Sequence, residues 1–114
     1  MRIEIKGRSG VVVDDDLRTR IERRFEKVAK QVSELAALEV ELSEEKNPAV
    51  HPSQIAEANL RLKGTTLRAR EAADNMGQAV NLLADDLARQ VKKHRDKRRG
   101  RRTAARAEPR PTAP

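Results

Sequence analysis

Cysteine, tryptophan and tyrosine are absent from this chain, and 114 residues contain a single phenylalanine. Without cysteine there can be no disulfide, no thiolate zinc site and no cysteine nucleophile, a composition that suits a reducing compartment. With Phe25 as the sole aromatic, the stacking platforms that read unpaired bases are missing as well. The longest apolar run is Leu35-Ala36-Ala37-Leu38, far short of a membrane span. The opening MRIEIKGR has none of the apolar core of a signal peptide, so a soluble, cytoplasmic protein is expected.

Chemistry-bearing motifs are equally scarce. There is no phosphate-binding P-loop, no G-x-G-x-x-G and no H-E-x-x-H. The two histidines, His51 and His94, fall in a loop and in a cationic helix end, with no partner constellation beside them. Asp14-Asp15-Asp16 lacks the spaced carboxylates and glycine of a calcium loop, and fits an N-cap with first-turn acids better. No enzyme, metal, cofactor or small-molecule substrate is indicated.

What the chain has is charge of one sign in one place. The formal net charge is +7. Residues 1–88 hold 14 Lys and Arg against 16 Asp and Glu, whereas residues 89–114 hold 11 against 2. That asymmetry implies a polyanionic partner. A membrane-binding helix would interleave Trp, Phe or Leu with its cations, and residues 92–114 contain none, which favours nucleic acid.

Hydrophobic patterning gives the order of elements. RIEIK at 2–6 alternates as a half-buried strand, and Gly7 and Gly10 mark a turn. Leu17, Ile21, Phe25, Val28 and Val32 recur at helical spacing, predicting a helix over 15–34. LEVELS at 38–43, the alternation of Ala56, Ala58, Leu60 and Leu62, and TTLRAR at 65–70 predict three more strands. Asn47-Pro48 and Pro52 mark a loop, and Lys63-Gly64 a tight hairpin turn. Met76, Val80, Leu83, Leu87 and Val91 then form one stripe of a second long helix. Each strand offers one apolar face and each helix one stripe. The expected fold class is therefore α+β, a two-layer β-α-β-β-β-α sandwich with two helices on one face of a four-stranded sheet. Domain organisation follows: a folded domain over 1–97 and a basic, proline-containing, disordered tail over 98–114.

Two groups of cations are candidates for nucleic-acid contact. Arg20, Arg23, Arg24, Lys27 and Lys30 lie on one flank of the first helix; Arg89, Lys92, Lys93, Arg95 and Lys97 crowd the end of the second. Without aromatics, binding would rest on phosphates and shape, which suits structured RNA.

The run LRAREAADNMGQAVNLLADDLARQVKKHRDK resembles the ribosome hibernation promoting factors, also called the ribosome-associated inhibitor or sigma-54 modulation family. The resemblance is close over 64–97 and looser before it. It implies a domain similar to a double-stranded-RNA-binding domain. It also implies that this domain binds the small ribosomal subunit and its rRNA, occupies the mRNA channel and tRNA sites, and silences idle ribosomes in stress. Arg24, Lys27, Lys30, Arg89, Gln90, Lys93 and Lys97 match family positions. Asn75-Met76-Gly77 and Ala79-Val80-Asn81 depart from it, replacing an aromatic and two acids. The resemblance is to short forms that lack the C-terminal dimerisation domain, so a monomer off the ribosome is expected. Two other functions fit the residues: a general RNA-binding or RNA-chaperone protein acting through its tail, and an interaction module whose sheet face recruits an acidic partner through Arg61, Lys63, Arg68 and Arg70.

Overall fold

The computed structural model describes the backbone of residues 1–107 and side chains through Lys97. Four strands, β1 (Arg2–Gly7), β2 (Ala37–Glu44), β3 (Gln54–Leu62) and β4 (Thr65–Ala73), form one sheet in the order β1-β2-β3-β4. β1 pairs parallel to β2, Ile3 beside Leu38 and Ile5 beside Val40; the other two pairings are antiparallel. A parallel neighbour needs a crossover, and the helices α1 (Asp15–Arg24) and α2 (Glu26–Ala29) supply it. Antiparallel β3 and β4 need only a tight turn, made by Lys63 and Gly64; Gly64 adopts φ +80°, where a side chain would be strained. The helix α3 (Met76–Ala107) is the last of the described elements.

The core lies between the sheet and the helices. Leu38, Val40, Leu42, Ala56, Ala58 and Leu60 alternate inward from the two central strands. Ile21, Phe25 and Val28 meet them from α1 and α2, and Val80, Leu83, Leu87 and Val91 from α3; all but Val91, at 2 %, are sealed to 0 % exposure. Phe25 is thereby confined to the core and offers no ring to a base. The sheet's other face is wet and internally paired: Arg61 meets Glu39 at 2.8 Å, Arg70 meets Glu57 at 2.9 Å, and Arg8 pairs with Glu41. Such cross-strand pairs neutralise much of the face on which an acidic partner was one expectation.

Three expectations change in detail. The single helix expected over 15–34 is interrupted at Phe25 (φ −90°, ψ 2°), whose carbonyl accepts from both Val28 and Ala29. The tightened turn keeps Ile21, Phe25 and Val28 on one buried line. Regular helix then ends at Ala29, because Gln31, Val32 and Ala36 donate only three residues back and the Ser33 hydroxyl takes the Leu35 amide. β4 runs three residues beyond its expected end: Glu71, Ala72 and Ala73 are captured by pairing with Ala56, Ile55 and Gln54. The α3 backbone continues past residue 97 to Ala107; residues 108–114, the proline-containing part of the expected tail, lie outside the described residues.

The caps are set by side chains. Asp14 Oδ1 accepts from the Leu17 amide at 2.8 Å, with Asp15 and Asp16 in the first turn beside the positive end of the helix. The aspartate run is thus a helix start. Asn75 Oδ1 does the same for α3, accepting from the Gln78 amide at 2.8 Å.

Candidate nucleic-acid interface

The α1–α2 segment lies alongside α3 in step with it. Arg20 stands against Gly77, Arg24 shares a polar cleft with Gln78 and Asn81, and Lys27 reaches Asp85. Farther on, Gln31 and Val32 face Val91, His94 and Arg95. Both helical segments therefore run in the same direction, and the basic flank of the first borders the outer ridge of the second.

The Lys27–Asp85 ion pair is the direct tie across this seam, with Lys27 48 % and Asp85 60 % exposed at their side chains. The hydrogen bond from the Lys27 ammonium holds the Asp85 carboxyl below its ordinary value; slight burial opposes it, and the positive charges of Lys27, Arg89 and Arg24 add to it. That Arg24, Lys27 and Arg89 all act on one carboxylate shows that cations from both helical segments converge there. Lys92 stands about two turns further along the same ridge of α3, and Arg89 lies between them. Lys93 and Lys97 are exposed and turn toward the β4 side. Arg20, Arg23 and Lys30 are exposed along α1 and at the end of α2.

Two of the expected contact residues are placed elsewhere. Gln90 uses its side-chain amide inside the fold, donating to the Arg68 carbonyl at 2.8 Å and to Asp86 at 3.2 Å; it anchors α3 to β4. Arg95 follows Val91 by one turn and so points under α3, half-buried, with its Nε shielded from solvent. Helical phase turns both away from the outer ridge, a difference that counting cations along the sequence does not reveal.

Sequence reasoning also missed partners that carry no positive charge. Gly77 makes room for Arg20: a Cβ there would lie 2.9 Å from Arg20 Nη1. Asn81 lines the same cleft, its Oδ1 buried and without a partner among the described residues. The three departures from the family pattern, Asn75, Gly77 and Asn81, thus gather in one place beside Arg20 and Arg24. Next to the ridge, Glu71 on the inward face of β4 meets Asp86. Burial raises the Glu71 carboxyl above its ordinary value, the hydrogen bond and negative charge of Asp86 raise it further, and Arg89 opposes them.

No group of His, Asp or Glu among the described residues is arranged to hold a metal ion. No helix among them is long and apolar enough to cross a membrane.

Comparison with known proteins agrees with the fold. The chain is 29 % identical over 104 residues to the ribosome hibernation promotion factor of a Picosynechococcus species, covering 90 % of this chain and 53 % of that protein. It therefore spans about half the length of that relative. It is 32 % identical over 100 residues to the ribosome hibernation promoting factor of Acinetobacter guillouiae, covering 83 % of this chain and 88 % of the other. A ribosomal subunit interface protein from Coxiella burnetii shares the fold, with a TM-score of 0.69 at 24 % identity over 84 % of this chain and 99 % of its own. The model of the sigma 54 modulation protein / S30EA ribosomal protein family matches residues 3–99, and the chain belongs to that family.

Proposed function

We propose that this protein is a cytoplasmic ribosome hibernation factor that lies on the small ribosomal subunit and silences it by occupying the mRNA channel and tRNA sites. The observation that carries this reading is the seam at Lys27 and Asp85, where cations of both helical segments gather on one exposed surface. Arg20, Arg23, Arg24, Lys27 and Lys30 supply one side of that surface; Arg89 and Lys92 supply the other, and Lys93 and Lys97 extend it toward β4. Phosphates of folded rRNA displace counterions as they dock there, and the sheet behind the helices fixes the spacing of the cations. Inhibition of this kind needs occupancy alone, with no covalent step and no cofactor. The protein acts as a monomer off the ribosome.

Electrostatic docking has a measurable signature. Engaging about 7 phosphates gives a slope of roughly −5 to −6 for the logarithm of affinity against the logarithm of salt concentration. The experiment compares binding to purified small subunits with binding to bulk duplex RNA, for the full chain and for one cut after Lys97. A preference for small subunits that survives the cut is expected. If affinity disappears with residues 98–114 and subunits hold no advantage over duplex, the protein is instead a general RNA-binding protein acting through its tail.

A further inference from the structure

Under the projecting part of α3, on the side away from the outer ridge, lies an open groove of about 680 Å³. Its floor is aliphatic: Val32, Ala36, Leu62 and Val91. Leu35 stands at its rim with 91 % of its surface exposed, an unusual position for a leucine that packs against nothing. Its walls are cationic. Lys63 at the β3–β4 turn and Arg95 on α3 supply the charge, and His94 lines the groove beside Arg95. No carboxylate is among the described residues that line it. Arg95 Nε and His94 Nε2 are both shielded from solvent and have no hydrogen-bond partner among the described residues. A guanidinium Nε–H can only donate, so the groove holds at least one shielded donor without an acceptor among the described residues.

We propose that this groove is a docking site for an acidic protein segment carrying a leucine-sized aliphatic anchor. The anchor would rest on Val32, Leu62 and Val91 against Leu35, while flanking carboxylates accept from Arg95 and His94 and pair with Lys63. Charge complementarity selects this occupant. A second copy of the chain would bring its own cationic residues 89–114, net +9, against a cationic wall. RNA phosphates would match the cations but leave Leu35 and the aliphatic floor uncovered, and a nucleobase would find no aromatic face, since Phe25 is sealed in the core. The site is separate from the proposed RNA surface: Arg24, Lys27 and Lys92 face outward, whereas Arg95 faces beneath, so the protein could hold RNA and an acidic partner at once.

The test is amide-resolved NMR of the isotopically labelled full chain, titrated with a short synthetic peptide of Glu, Asp and Leu. Shifts should concentrate at residues 31–37 and 61–63 and at Val91, His94 and Arg95. Leu35→Ser combined with Arg95→Gln should weaken the peptide by about tenfold or more, and replacing the peptide's leucines by serine should do the same. The exposure of Leu35 makes that substitution harmless to folding. Shifts confined to Arg20, Arg24 and Lys92, or a double variant that binds the peptide as the parent does, would overturn the proposal. So would a single-stranded oligouridylate that displaces the peptide and shifts the groove residues in its place, which would assign the groove to RNA.

Discussion

Replacing Gly77 by alanine should make the protein more stable and a weaker RNA binder at the same time. Gly77 is the second residue of α3, and alanine is favoured over glycine in a helix by about 1 kcal/mol, an upper value so close to the end. The added Cβ would stand 2.9 Å from Arg20 Nη1, too close to coexist. What must yield is the tip of a long exposed side chain, so the displacement costs little stability. It does move one guanidinium out of the cleft it shares with Arg24 and Asn81. Losing one phosphate contact should flatten the salt dependence of small-subunit binding by roughly 0.7 to 0.9 in log–log slope. Urea denaturation gives the first quantity and binding at several salt concentrations the second. A variant that is more stable yet binds with unchanged affinity and slope would remove Arg20 from the interface.

Other substitutions separate the charges at the seam. Asp85→Asn releases Lys27 and deletes the carboxylate paired with it, so RNA affinity should rise, most visibly at low salt. The Asp85 carboxyl is held below its ordinary value, so its stabilising contribution is present above the unfolded carboxylate value and lost as pH falls through the depressed one. Thermal melting should show a small advantage of the parent over Asp85→Asn near neutrality that vanishes in acid. Glu71 shows the opposite sign. Its raised carboxyl favours the fold below the ordinary value, and that benefit is lost as pH rises through the raised one, when Glu71 and Asp86 repel. Glu71→Gln should therefore raise the melting temperature at neutral pH, with the gain shrinking on acidification.

The elements that were legible in the sequence are those whose pattern is local. The stripe from Val80 to Val91 names a buried helix face, and Asp14 before Asp15 and Asp16 names a cap, because each depends on neighbours a few residues away. The interruption at Phe25 was not legible. Ile21, Phe25 and Val28 satisfy a continuous helix period whether or not the carbonyl at Phe25 is shared. Nor was the end of β4: Glu71, Ala72 and Ala73 are good helix formers, and only the ladder to β3 holds them extended. Of the candidate surface, the cations could be counted but not aimed. The pairing of Lys27 with Asp85 joins residues far apart in the chain, and the inward phase of Gln90 and Arg95 follows from where α3 sits on the sheet. The cleft at Gly77 gives no sequence signal other than departure from the family pattern.

The most direct test of the cationic surface is co-sedimentation of the chain with purified small subunits after reversing charge at three exposed positions, Arg24→Glu, Lys92→Glu and Lys93→Glu. We expect the variant to stay at the top of the gradient while its circular dichroism spectrum and melting temperature match those of the parent. A variant that travels with the small subunit as the parent does, at the same salt concentration, would contradict the assignment of this surface to ribosomal RNA.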